Sequence, residues 1–203
     1  MEKLAVYIHG KGGTKDEAEH YKPLLKGYEV IGLDYAAKTP WEAKEEFPKF
    51  FEPLRGKYRY ITVIANSIGA FFCMSAGVDD MIDRAFFISP VADMEKLIKN
   101  MMAWSNVTED ELKTKGVVHT EFGEDLSWDF LCYVRNRPIK WNVPTEILYG
   151  SEDNMMSFET VTEFAEGHNA NITVMKGGEH WFHTEEQLSF LDAWIEGKYN
   201  EQR

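Results

Sequence analysis

Apolar residues along the chain gather in six short runs: Leu4–Ile8, Val30–Leu33, Tyr60–Ala65, Ala85–Ile88, Glu146–Tyr149 and Ile172–Met175. Most are continuous rather than alternating, which is the pattern of strands covered on both faces. Helix signals lie between them. Thr14 with Glu17, and Thr39 with Glu42, have capping-box spacing, and Pro40 stands at a first helical position. Thr184 and Gln187 repeat the signal after the last run. There Leu188, Leu191 and Ile195, supported by Phe190 and Trp194, form one apolar stripe. Pro48 and Pro53 interrupt the second helical stretch and leave its end open. Strand alternating with helix predicts an α/β fold, a mostly parallel sheet of about six strands flanked by helices and joined by right-handed crossovers.

The stretch between Pro90 and Val143 breaks that rhythm. It carries Met101, Met102, Trp104, Trp128, Phe130 and Tyr133, and it is too long for an ordinary connection. It reads as a mostly helical cap or lid insertion, residues 91–142, inside a single domain spanning 1–203. A chain of 203 residues suits one such core. No internal repeat or low-complexity tract is visible.

Charge narrows the function. With 22 Lys and Arg against 34 Asp and Glu, the formal net charge is −12. Such a field repels phosphate backbones and anionic membrane surfaces, so nucleic-acid binding is not expected. The two cysteines, Cys73 and Cys132, are too few for a disulfide framework and form no C-x-x-C pair. They read as free thiols of a reducing compartment. The first apolar run ends at His9-Gly10, too short for a signal peptide's apolar region. No window approaches about 18 consecutive apolar residues. The expectation is a soluble, cytoplasmic protein without a membrane span.

Four segments at strand ends carry chemistry. In Tyr60-Ile61-Thr62-Val63-Ile64-Ala65-Asn66-Ser67-Ile68-Gly69-Ala70, a buried strand runs into a serine and then into the apolar helical stretch Phe71-Phe72-Cys73-Met74. A nucleophilic serine needs a sharp turn of this kind, which lifts its hydroxyl above the sheet at the positive end of a helix. Ala65 and Gly69 are small enough to allow it. The other reading of Ser67 is a plain helix N-cap. Here the chain resembles the α/β-hydrolase family, whose nucleophile elbow reads G-x-S-x-G. Ala65 stands where that family usually has glycine.

His9-Gly10-Lys11-Gly12-Gly13 follows the first strand. Acyl transfer builds negative charge on a carbonyl oxygen, and preorganised backbone N–H groups must meet it. A glycine-rich loop lets the backbone come close. The stretch looks like the family's His-Gly oxyanion loop, and the resemblance implies the backbone N–H groups of Lys11 and Ile68 as the two donors, with His9 ordering the turn. A nucleotide loop fails on spacing, because G-x-G-x-x-G would need glycine at Lys15.

Gly177-Gly178-Glu179-His180-Trp181-Phe182-His183 lies between the last strand and the C-terminal helix, where a histidine can reach back over the sheet. The family places its base on such a loop, at the position of His180. His183 is the rival, suited to orienting the loop or lining a pocket. A zinc site on the pair lacks the H-E-x-x-H pattern and a nearby cysteine. In Leu148-Tyr149-Gly150-Ser151-Glu152-Asp153-Asn154, a carboxylate is needed to fix the histidine tautomer. The family's G-x-x-D matches Asp153, with Glu152 as competitor.

Ser67, Asp153 and His180 fall in the family's chain order. The resemblance covers almost the whole chain outside the insertion. It implies a serine hydrolase that cleaves a carboxylic ester or thioester through an acyl-enzyme, without metal or cofactor. The partner is then a small ester-type molecule, and a homo-oligomer stays open. His9, Trp104, Trp128, Trp181 and His183 are candidate pocket residues, the insertion being expected over the carboxyl ends of the strands. Its aromatics fit an apolar acyl or alcohol pocket, or equally the insertion's own core. A peptidase, a lyase, a cofactor-free peroxidase and a non-catalytic binding protein are the competing readings.

Overall fold

The structure is a computed structural model and describes residues 2–121 and 123–200. In chain order the elements begin with β1 (Lys3–Ile8), a 3₁₀ helix (Lys15–Tyr21), β2 (Glu29–Gly32), α1 (Pro40–Arg55), β3 (Tyr60–Asn66), α2 (Ile68–Ser75) and β4 (Arg84–Ile88). Then come α3 (Met94–Trp104), α4 (Glu109–Lys115), β5 (Val117–His119), β6 (Asp125–Ser127) and α5 (Trp128–Arg135). The chain closes with β7 (Thr145–Gly150), α6 (Phe158–Gly167), β8 (Ala170–Met175) and α7 (Glu185–Asn200). Two compact units result: Met1–Ala92 with Trp141–Arg203, and Asp93–Lys140.

The first unit is built on a six-stranded sheet of order β2-β1-β3-β4-β7-β8, parallel at every pairing. All six apolar runs became its strands. Their continuity has the expected cause: β4 and β7 are buried at every residue, and β1 and β3 at all but their ends. One face carries Tyr7, Ile64, Phe86, Ile88 and Leu148, packed with Tyr21, Leu25, Leu191, Trp194 and Ile195. Helix α1 buries Ala43, Phe47 and Phe51. Burying each such large side chain contributes about 1.5–3 kcal/mol.

Helix α1 runs straight through Pro48 and Pro53. Each proline leaves a carbonyl four residues earlier without an N–H partner. Those carbonyls belong to Lys44 and Lys49, both exposed, so water can replace the lost bonds. The capping signals at Thr39 and Thr184 are real, with side chains accepting the N–H groups of Glu42 and Gln187. The Thr14 signal opens a 3₁₀ helix that buries only Ala18 and Tyr21.

The second unit comprises α3, α4, α5 and the antiparallel hairpin β5–β6. The hairpin was not expected from the sequence. Met94, Leu97, Ile98 and Met102 of α3 are buried, with Leu112, Leu126 and Leu131. Arg135 joins its helices, reaching Glu95 at 3.0 Å and forking onto Glu109 at 2.7 and 3.0 Å.

A half-buried clamp fixes the entry to β3. Asp83 accepts from both terminal nitrogens of Arg55 at 2.6 and 3.0 Å and from the Ile61 N–H at 2.7 Å. Asp83→Ala orphans that N–H and is expected to cost about 1–3 kcal/mol, measured by urea unfolding. Arg55→Ala, which leaves the N–H bond intact, should cost less.

Candidate active site

Strand order turns back on itself between β1 and β3, since β2 lies on one side of β1 and β3 on the other. In open parallel sheets ligands bind outside the carboxyl ends of strands at such a switch point. The loops after β1, β3, β7 and β8 all leave from that edge.

Ser67 stands between β3 and α2 with φ 51° and ψ −119°, a conformation that costs a non-glycine residue about 1–3 kcal/mol. It is pinned there from both sides. Its N–H donates to the Ile88 carbonyl at 3.0 Å, and its carbonyl accepts from the Val91 N–H at 3.2 Å. Although Ser67 holds the N-cap position of α2, its hydroxyl makes no cap bond. Instead Oγ lies 2.8 Å from Nε2 of His180.

The turn also needs Gly69. A methyl there would sit 2.3 Å from the His9 carbonyl oxygen and 2.8 Å from that of Ile8, so helix α2 starts in direct backbone contact with the β1 loop. Ala65, at the position where the elbow pattern has glycine, is fully buried in β3 between Ile8 and Phe87. Lys11 lies in the turn after β1, and Ile68 is the first residue of α2, whose leading N–H groups have no intrahelical partner. The imidazole of His9 stacks on the Tyr35 ring at 4.3 Å, and its Nδ1 lies 2.8 Å from the Gly10 carbonyl oxygen. The Tyr35 hydroxyl donates to the His9 carbonyl at 2.8 Å.

The other ring nitrogen of His180, Nδ1, lies 2.8 Å from Asp153 Oδ2. Asp153's side chain is 0% exposed and that of His180 17%. The second carboxylate oxygen, Oδ1, accepts the N–H groups of Met155 and Met156 at 2.8 and 3.0 Å. A carboxylate buried in this way is satisfied on both oxygens and held in one orientation. Glu152 is exposed and turns elsewhere. Its N–H donates to the Gly178 carbonyl at 2.8 Å, and its carboxylate lies 3.4 Å from Ser151 Oγ.

The Asp153 and His180 loops are joined backbone to backbone. Ser151 donates its N–H to Met175 at 3.0 Å, and Gly177 donates to Ser151 Oγ at 2.8 Å. A methyl on Gly150 would lie 2.3 Å from the Gly178 oxygen and 2.6 Å from that of Glu179. Gly177, at φ 75°, supplies the left-handed turn that sends the chain back.

Among the remaining candidates, Trp181 is 68% exposed and stacks on His183 at 4.4 Å. His183 is fixed by the Trp181 carbonyl, 2.7 Å from its Nδ1, and its N–H donates to Gln187 at 3.0 Å. In the second unit Trp104 is exposed, and Trp128 lies under the Lys113 ammonium at 5.8 Å. Cys73 is fully buried in α2, and burial pushes its thiol well above the usual range, away from nucleophile chemistry. Among the described residues no three His, Cys, Asp or Glu side chains are grouped to hold a metal ion, and no helix is long and apolar enough to cross a membrane.

No protein-family model matches this chain, and no curated protein matches it in sequence. Solved structures do match. Est1E from Butyrivibrio proteoclasticus is similar with a TM-score of 0.76 at 16% identity, over 100% of this chain and 89% of its own. Alpha/beta hydrolase domain-containing protein 10 from mouse gives 0.77 at 16%, over 98% and 90%. XC6422 from Xanthomonas campestris, described as an a/b serine hydrolase without lid, gives 0.66 at 13%, over 99% and 82%. This chain has the α/β-hydrolase fold. Within that fold the loops after β1, β3, β7 and β8 are the ones that carry His9–Gly13, Ser67, Asp153 and His180.

Sequence reasoning missed Tyr35 as part of the site and took Gly150 only as the first residue of the G-x-x-D pattern. The close backbone approach at Gly150 and the Tyr35 contact across 26 residues leave no local pattern of their own. Gly150→Ala is expected to destabilise the protein by about 1–3 kcal/mol, because backbone rather than a flexible side chain must move. Thermal or urea unfolding of the variant checks this, and an unchanged midpoint would contradict the contact.

Proposed function

We propose that the protein is a serine hydrolase that cleaves a carboxylic ester or thioester, with Ser67 as nucleophile, His180 as general base and acid, and Asp153 as the carboxylate that orients His180. One observation carries the reading: an unbroken chain of two 2.8 Å contacts from the Ser67 hydroxyl through His180 to a buried Asp153. The strained backbone at Ser67 supports it, since strain at a half-buried serine facing an imidazole is a cost that a plain helix cap would not incur.

The chemistry follows from the directions of these bonds. Asp153 Oδ2 accepts the Nδ1 proton, which leaves the Nε2 lone pair facing Ser67. As Oγ attacks the carbonyl carbon, its proton passes to Nε2, and the imidazolium is stabilised by the carboxylate behind it. The backbone N–H groups of Lys11 and Ile68 are the proposed donors to the developing oxyanion. Collapse expels the alcohol or thiol, which takes the proton from His180, and leaves an acyl-Ser67. Water, deprotonated by His180, then releases the acid.

The ester class is favoured by an analogy of product chemistry. Est1E, similar in fold at a TM-score of 0.78 and 16% identity, is described with ferulic acid bound. A carboxylic acid is what ester hydrolysis releases. The protein's own acidic balance, −12, disfavours polyanionic substrates.

A fluorophosphonate probe is expected to label Ser67, and p-nitrophenyl acetate to be hydrolysed. Ser67→Ala should abolish labelling and lower kcat by a factor of about 10³ or more, and Asp153→Asn should cost a factor of similar order while the fold is retained. Labelling that persists in Ser67→Ala would exclude Ser67 as the nucleophile.

A further inference from the structure

The two proposed oxyanion donors belong to different segments, Lys11 after β1 and Ile68 at the start of α2, so their spacing has to be held by other groups. A donor is effective only within about 2.7–3.1 Å of the oxygen it serves. Tyr7 sits in β1 two residues before the loop and is 2% exposed. Its hydroxyl donates to Glu17 Oε2 at 2.5 Å. Glu17 Oε1 accepts the Thr14 N–H at 3.0 Å. That carboxylate lies against the loop's last glycine, for a methyl on Gly13 would be 2.6 Å from Oε1. Gly13 in turn donates its N–H to the Gly10 carbonyl at 3.2 Å, closing the loop around Lys11.

The loop reaches the other segment by packing. A methyl on Gly10 would be 3.3 Å from the carbonyl oxygen of Asn66, the residue before Ser67, and 3.4 Å from Ser67 Cβ. The loop that Glu17 holds at its far end therefore lies against the nucleophile turn at its near end.

We infer that Tyr7 and Glu17 are positioning residues that set the gap between the Lys11 and Ile68 N–H groups, acting through Thr14 and Gly13 on the glycine loop whose Gly10 packs on the nucleophile turn. The inference rests on the reading of Ser67 as nucleophile. Burial pushes the Tyr7 phenol far up, so it keeps its proton and its donor role at any working pH. The pair never touches substrate. It is expressed as transition-state stabilisation rather than as binding, because the oxyanion forms only during reaction.

The test measures p-nitrophenyl acetate hydrolysis and the rate of fluorophosphonate labelling on the full chain. Tyr7→Phe keeps the ring and its packing and removes the hydrogen bond to Glu17. It is expected to lower kcat about tenfold or more, with KM changed less than about twofold and labelling slowed in parallel. Glu17→Ala should match it. Glu17→Gln, which keeps one acceptor oxygen, should recover part of the loss. Should Tyr7→Phe fail to fold, the two Glu17 variants, at an exposed residue, carry the test. Variants that stay folded, with kcat and labelling within twofold of wild type, overturn the inference and leave the nucleophile assignment standing. A loss confined to KM or to the unfolding midpoint, with no recovery in Glu17→Gln, overturns it as well. A wild-type protein that is not labelled at Ser67 removes the functional reading itself, and this inference with it.

Discussion

Loops from four strands can meet at one sheet edge only where their backbones pack without side chains between them. Two glycines make that approach. Gly69 lets α2 start against the carbonyls of Ile8 and His9, and Gly150 lets the β7 loop lie on Gly178 and Glu179. The first contact joins the nucleophile turn to the glycine loop, and the second joins Asp153 to His180. The remaining requirement, that His180 reach Ser67, is met across β4 and β7, the two strands between β3 and β8. A parallel sheet suits this arrangement because it sends every strand's carboxyl end to the same edge.

The strain at Ser67 is held by that same packing. Backbone in its conformation relaxes unless its neighbours prevent it. Here the neighbours are Ile88 and Val91, which bond the Ser67 amide and carbonyl from the segment that ends β4. The hydroxyl is left free of capping duty and lies within reach of an imidazole. Asp153 shows the complementary device. A carboxylate out of water is tolerated when its oxygens are satisfied, and two backbone N–H groups and one ring nitrogen do so. The Met155 and Met156 bonds are local, so they orient the acid without any contribution from the histidine loop.

The six sheet strands were legible because burial on both faces turns each into a continuous apolar run. The hairpin β5–β6 was not, since three-residue strands with only Leu126 fully buried carry too little period to read. Helix α6 was missed for a different reason. Val161 and the threonines at 160 and 162 give it β-branched character, and its cap, Ser157, has no acid or amide three residues on. Within the site, strand ends pointed to Ser67, Asp153 and His180 because position after a strand predicts position above the sheet. Spacing could not separate Asp153 from Glu152, which follow one another in the same loop. The fold separates them, burying one carboxylate against His180 and exposing its neighbour. The Tyr7–Glu17 bond depends on how the glycine loop folds back, and nothing local encodes that.

A second serine sharpens what the site requires. Ser89 follows β4, next to β3, with φ 44°, and its N–H donates to the Leu148 carbonyl at 2.9 Å. A positive φ and a place at the same sheet edge are therefore shared with Ser67. What differs is the surroundings of the hydroxyl. Ser89 is 0% exposed and its Oγ has no hydrogen-bond partner among the described residues, so it has neither a base beside it to take its proton nor contact with solvent. Strain and position recur at adjacent strand ends, and the proposed chemistry falls on the one whose hydroxyl meets an imidazole. The selection is made from three strands away, by the loop after β8 that delivers His180.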